Sequence, residues 1–188
     1  GRPELGVLLL HLVVISLGVK YFRAPRKARF PWWGWVGLAI IAAAEVLLFL
    51  HTPWVSTFFT PIVWTGYLLL ADGLVWSLDG RSRLGSTPRQ VLSLAFWSVP
   101  LRLVFEAYNL RLANWEYVGL PDSLVISSLG YVWSFATIWP AILETADLLR
   151  ALGVGSRPAA PRVPFRPSTR PMLFVVGLLC LVLPVVVP

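Results

Sequence analysis

The sequence predicts an all-α integral membrane protein of about six transmembrane helices joined by short loops. Three observations carry this. Of the 188 residues, 57% are hydrophobic and only 13% charged, where a soluble domain carries about 25% charged. Mean hydropathy is +0.73. Finally, the basic residues gather in alternate connections between apolar runs.

A helix needs roughly 20 apolar residues to cross the hydrocarbon. The first run, Leu5 to Val19, is short and contains His11 and Ser16. The second, Pro31 to Leu50, opens on Trp32, Trp33 and Trp35 and contains Glu45. The third, Val55 to Leu78, holds Asp72. The fourth, Val91 to Leu110, holds Pro100, Arg102 and Glu106. The fifth, Ser123 to Leu149, holds Pro140, Glu144 and Asp147. The sixth is Met172 to Val187. Pro100 and Pro140 are expected to kink their helices, because proline removes a backbone donor and crowds the preceding turn. Small residues at Ala42, Ala43 and Ala44 predict a close helix–helix approach.

This gives a five-helix bundle over residues 1–150, a Pro/Arg-rich linker over 151–171 and a final helix over 172–188. Five prolines between Gly153 and Pro171 predict an extended linker, suited to tethering the last helix, to resting on anionic headgroups or to docking on a partner. The chain begins on Gly1 and stops at Pro188 inside an apolar run, which leaves room for residues beyond either end. Gly1 to Lys20 does not read as a signal peptide, since its head carries a single positive charge and no A-x-A site follows.

Loop charge orients the spans. The first connection carries Lys20, Arg23, Arg26, Lys27 and Arg29 with no acid, and the second carries no charge. The third carries Arg81, Arg83 and Arg89 against Asp79, and the fourth Arg111 against Glu116 and Asp122. The fifth carries Arg150, Arg157, Arg162, Arg166 and Arg170. The positive-inside rule therefore places odd connections in the cytoplasm and both chain ends outside, in a bacterial inner membrane. The net charge of +7 is absorbed by this rule, so nucleic acid is not an expected partner. The one cysteine, Cys180, excludes an internal disulfide and a cysteine metal cluster.

Ionisable groups at membrane depth are costly and usually face protein. At 1.5 Å rise per residue, Glu45 and Arg102 each lie on the order of 20 Å from the basic ends of their spans, with Glu106 one turn beyond Arg102. These form an expected outer charge cluster, Glu45–Arg102–Glu106. It reads as a structural bridge, or as a pocket for an ion, proton or headgroup. Asp72 and Glu144 lie about 10 Å in on the same arithmetic. With Asp147 they form an inner acidic layer within reach of Arg81 or Arg150. Two carboxylates held close there would make a proton-handling site.

His11 and His51 are the two histidines. Facing each other they would suit a b-type haem, and singly a chlorophyll or bacteriochlorophyll magnesium. No cofactor is required by the sequence, and a His-rich metal site is excluded. Asn109, Asn114, Trp115 and Tyr117 are expected to anchor the fourth connection at the outer interface. Trp32, Trp33, Trp35 and Trp54 also fall at predicted interfaces, as an aromatic belt requires. Trp64, Trp76, Trp97, Trp133 and Trp139 fall within spans and suit packing, or a flat apolar groove for lipid, carotenoid, quinone or another pigment.

The sixteen-residue run Glu106…Asn114-Trp115-x-Tyr117-x-Gly119-x-Pro121 resembles the membrane-embedded carotenoid cyclase domains of bacteria. The resemblance implies an isoprenoid-modifying membrane enzyme with Glu106 and Asp122 as its acids. Those domains follow the proline with paired glutamates and phenylalanines, whereas Asp122 and Ser123 stand here. With no nucleophile–base pair, metal constellation or phosphate loop in the sequence, the favoured reading is a non-catalytic membrane subunit. Its expected partners are lipids and other subunits of a larger complex, energy-transducing or pigment-containing. The enzyme is the first alternative, and a small transporter or proton path through the outer cluster the second.

The topology is testable by thiol labelling in a Cys180→Ser background. Ala28→Cys and Thr87→Cys are expected to react only from the cytoplasmic side, and Thr52→Cys and Asn114→Cys only from the other. Labelling of both sets from one side would break the six-span scheme.

Overall fold

The structure, a computed structural model, describes residues 3–155 and 169–186. Linker residues Arg157, Pro158, Pro161, Arg162, Pro164, Arg166 and Pro167 lie outside them, as does Val187. The described residues are helical with no strand, in seven helices: α1 (Pro3–Arg23), α2 (Trp32–Phe49), α3 (Pro53–Asp79), the one-turn α4 (Arg83–Ser86), α5 (Pro88–Leu112), α6 (Leu124–Ala151) and α7 (Thr169–Val186). All but α4 are long and apolar enough to cross a membrane.

The helices outrun the apolar runs because backbone hydrogen bonding is indifferent to hydropathy. Their starts follow local chemistry. Pro53 and Pro88 open α3 and α5, where a missing N–H costs nothing. Ser123 caps α6 by accepting from Ile126 N, and Ser82 caps α4 by accepting from Gly85 N. Helix α3 stops where Gly80 turns left-handed at φ 69°, its N–H donating to Trp76 O. The expected linker gives up its last residues to α7, which starts at Thr169 with Pro171 in its first turn. The non-helical residue within α3 is Phe58, three residues before Pro61. Helices α5 and α6 run unbroken past Pro100 and Pro140.

Helix α2 packs on α3, α3 on α6 and α6 on α5, while α7 touches the end of α5. The α2–α3 contact is made by glycines: a Cβ on Gly37 would stand 2.5 Å from Gly66 O and from Leu70 N. Such backbone approach is how helices associate without a hydrophobic driving force. This corrects the alanine expectation in part, because Ala44 is buried but Ala42 and Ala43 are exposed. Helices α3 and α6 are joined by hydroxyls. Tyr67 bonds Thr145, and Trp133 Nε1 donates to Thr65 Oγ1 at 3.0 Å.

Between α5 and α6 stands Ser98, 0% exposed. Its hydroxyl donates to Phe135 O and accepts from Trp139 N. It thus contacts both members of one i, i+4 backbone pair in the turn of α6 before Pro140 and ties that turn to α5. Helix α1 is exposed along its apolar length and is tied in at its end, where Tyr21 Oη lies 3.0 Å from Ser77 Oγ and Arg26 stacks on the Tyr21 ring.

Ser98→Ala removes the two hydrogen bonds that join α5 to α6 at this point, at a cost of about 1–3 kcal/mol. Thermal unfolding in detergent is expected to show a lower Tm; an unchanged Tm would mean that Ser98 bears no weight in the α5–α6 contact.

Candidate functional site

The connections 24–31 and 80–87 and the end of α6 converge, giving the bundle one basic end. Lys27 N–H donates to Ser77 O, and Lys27 Nζ meets Asp79 Oδ1 at 3.2 Å. Just inside lie the three acids of the inner layer, with Asp72 0%, Glu144 1% and Asp147 8% exposed.

Their partners differ. Asp72 accepts from Trp33 Nε1 (2.9 Å) and Ser82 Oγ (2.7 Å) on one oxygen and from Leu84 N (2.7 Å) on the other. Asp147 faces Arg83 Nε at 2.7 Å and Arg150 Nη2 at 3.0 Å. The Arg83 contact is coulombic, since that N–H makes no hydrogen bond. Glu144 has no hydrogen-bond partner on either oxygen and lies in the field of Asp72, Asp147 and Arg83. The inner layer is therefore one cluster, but Arg83 stands where Arg81 was expected. Asp72 is held by neutral donors instead of an arginine.

The outer cluster is divided. Arg102 Nη2 pairs with Glu106 Oε1 at 2.9 Å. Glu45 is exposed on α2 and has no ion pair or hydrogen bond among the described residues. The expected Glu45–Arg102 bridge is not formed, for a plain reason. The two residues share a depth, but the α3–α6 pair stands between α2 and α5.

What completes the outer site is the connection after α5. Helix α5 ends as Ala113 adopts a left-handed φ of 48°, and the Asn109 amide grips Trp115 from both sides, Oδ1 accepting from Trp115 N and Nδ2 donating to Trp115 O. This aims the chain back toward the bundle. Tyr117 Oη donates to Glu106 Oε1 at 2.6 Å and accepts from Arg102 Nη2 at 3.3 Å. Burial first, and then the hydrogen bond to Glu106, hold the Tyr117 phenol above its ordinary pKa, so it keeps the proton it donates. Arg102 also lies 5.1 Å from the Trp115 ring. Trp115 and Tyr117 are thus working contacts of Arg102 and Glu106, whereas Asn114 and Asp122 are exposed. Asp122 has no ion pair or hydrogen bond among the described residues.

Two cavities flank this triad. One of about 390 Å³ runs between α3 and α6 and reaches Arg102 and Tyr117. The other, about 670 Å³, lies along α5 and α6 and reaches Glu106, Trp115 and Tyr117. Tyr117, Tyr131 and Phe135 line both.

The structure does not bring the histidines together. His11 is exposed on α1 with Nδ1 2.7 Å from Val7 O, and His51 is exposed beyond α2 with a positive φ of 54°. No group of three His, Cys, Asp or Glu placed to hold a metal ion occurs among the described residues. Sequence reasoning missed Trp33, Ser82, Arg83 and Ser98. Trp33 and Arg83 were assigned to the interface belt and to loop charge, and serines in an apolar span give no pattern. Comparison of the chain with protein-family models, curated proteins and solved structures gives no match.

Asp72 and Glu144 should respond oppositely to replacement by the amide. Asp72→Asn weakens a threefold acceptor and is expected to lower stability by about 1–3 kcal/mol. Glu144→Gln puts an amide donor beside the other acids in place of a carboxyl that no hydrogen bond satisfies, so Tm is expected to hold or rise. Equal losses in the two variants would contradict this division of roles.

Proposed function

We propose that this chain is a non-catalytic subunit of a larger assembly in a bacterial inner membrane, with its basic end at the cytoplasm. Glu45 is the observation that carries the reading. Helix α2 turns Gly34, Gly37 and Ala44 inward and leaves Glu45 exposed. An unpaired carboxylate at membrane depth costs roughly 2.5–3.5 kcal/mol, and a donor on a neighbouring subunit removes that cost. Ala42 and Ala43, exposed beside it, allow a partner helix to come close. Helices α1 and α7 add long apolar surfaces with nothing buried in the windows that span. The acid of the enzyme reading fits catalysis poorly. Glu106 Oε1 already accepts from Tyr117 and pairs with Arg102, and a general acid needs a proton to give.

A second reading has its own support. Apolar cavities of about 390 and 670 Å³ beside a polar triad suit an isoprenoid, carotenoid or lipid with a polar end, either as a resident ligand or as a substrate. Trp115 Nε1, buried without an acceptor, is a free donor at the larger cavity. A proton path draws less support, because Glu45 stands apart from Arg102 and Glu106.

Native purification, mass spectrometry and an absorption spectrum separate these readings. A stable complex is expected, and Glu45→Leu is expected to release the chain from it while leaving the isolated chain as stable as before. A solitary protein that converts a polyene in proteoliposomes would contradict the subunit reading.

A further inference from the structure

A cavity of about 450 Å³ opens at the basic end, between the α3–α5 connection and the end of α6. It differs from the aromatic cavities in that Val75 is its sole apolar lining residue among those described. Its cations come from three separate stretches of chain: Lys27 before α2, Arg81 and Arg83 after α3, and Arg150 at the end of α6. Against these four cations stand two carboxylates, Asp79 and Asp147, which leaves a surplus of two positive charges. Lys27 is paired with Asp79, and Arg83 and Arg150 share Asp147. Arg81 is exposed with no ion pair among the described residues. Ser86 and Thr87 add hydroxyls to the wall.

We propose that this pocket binds a phosphate-bearing anion, either the headgroup of an anionic lipid or a free phosphorylated molecule. A phosphate group carries up to two negative charges and several acceptor oxygens, and guanidinium forks with hydroxyls match it. The position fits as well. The pocket sits where α3 and α6 end, at the level where lipid phosphates lie if those helices span the bilayer. A solvated face of arginines spreads its charge. Here residues more than a hundred positions apart in sequence close on one space, and part of their charge is used internally to hold it open. The proposal does not depend on Glu45 or on any partner subunit.

The test uses the full chain in nanodiscs of phosphatidylcholine with and without phosphatidylglycerol, read by native mass spectrometry. Phosphatidylglycerol is expected to remain bound and phosphatidylcholine to leave. Arg81→Gln is expected to weaken retention about tenfold, the loss of one charge-assisted hydrogen bond to the phosphate. Arg29→Gln is the control. It removes the same charge at the same end, but Arg29 lines a different cavity. It is expected to change nothing. Inorganic phosphate and glycerol phosphate at matched ionic strength distinguish the two sources. Displacement of lipid by either assigns the pocket to free phosphate compounds, and no displacement assigns it to headgroups. Equal weakening by Arg29→Gln would reduce the effect to general surface charge and overturn the site. So would equal retention of the two lipids together with no response to phosphate.

Discussion

Asp72 is the residue on which the packing of this protein turns. Its carboxylate takes a hydrogen bond from Trp33 on α2 and two more from Ser82 and Leu84 at the short α4. A buried charge is tolerated only when its acceptor sites are filled. Filling them here pins α2 and α4 to one point of α3. With α4 fixed, Arg83 is placed against Asp147, and α6 is docked in turn. Glycine contacts between α2 and α3 then allow the backbones to close. Most of the buried residues consequently lie toward the basic end of the bundle.

The other half is built differently. Its contacts are aromatic, its cavities are open, and a non-helical segment folds back to meet Arg102 and Glu106. Irregular backbone at membrane depth is tolerated where it lines a cavity within protein. The Asn109 clamp on Trp115 satisfies that backbone locally. Ser98 marks the boundary between the two regimes, joining α5 to α6 just below the cavities. An inner half held by a polar network beneath an outer half of aromatic-lined cavities is an arrangement that can hold an apolar molecule, or a neighbouring helix, without disturbing that network.

Much of this was legible in the sequence, and the limits have physical causes. Apolar runs report span number because lipid imposes a length, and all six runs became helices. Arg102 and Glu106 were readable because i, i+4 spacing on one helix fixes their approach. Glu45 failed as their partner because depth says nothing of azimuth. The α2–α3 contact is made close by Gly34, Gly37, Gly66 and Gly73, whose packing role has no hydropathy signature. Tyr117 was placed at the interface because a loop's return into the bundle depends on a side-chain clamp. Counting residues from the basic end put the inner acids at one depth, and the structure brings Asp72 and Asp147 beside Glu144. Their donors were not legible, because Trp33 and Ser82 carry no charge to pair.

The order α2–α3–α6–α5 underlies every part of this account, and distances between spin labels measure it directly. Labels on Phe49→Cys and Leu110→Cys, in a Cys180→Ser background, report α2 against α5 near the same end of the bundle. Adjacent helices lie about 8–10 Å apart. With α3 and α6 intervening, the α2–α5 distance is expected on the order of 20–30 Å. A distance on the order of 10 Å would bring Glu45 to Arg102 and contradict the packing described.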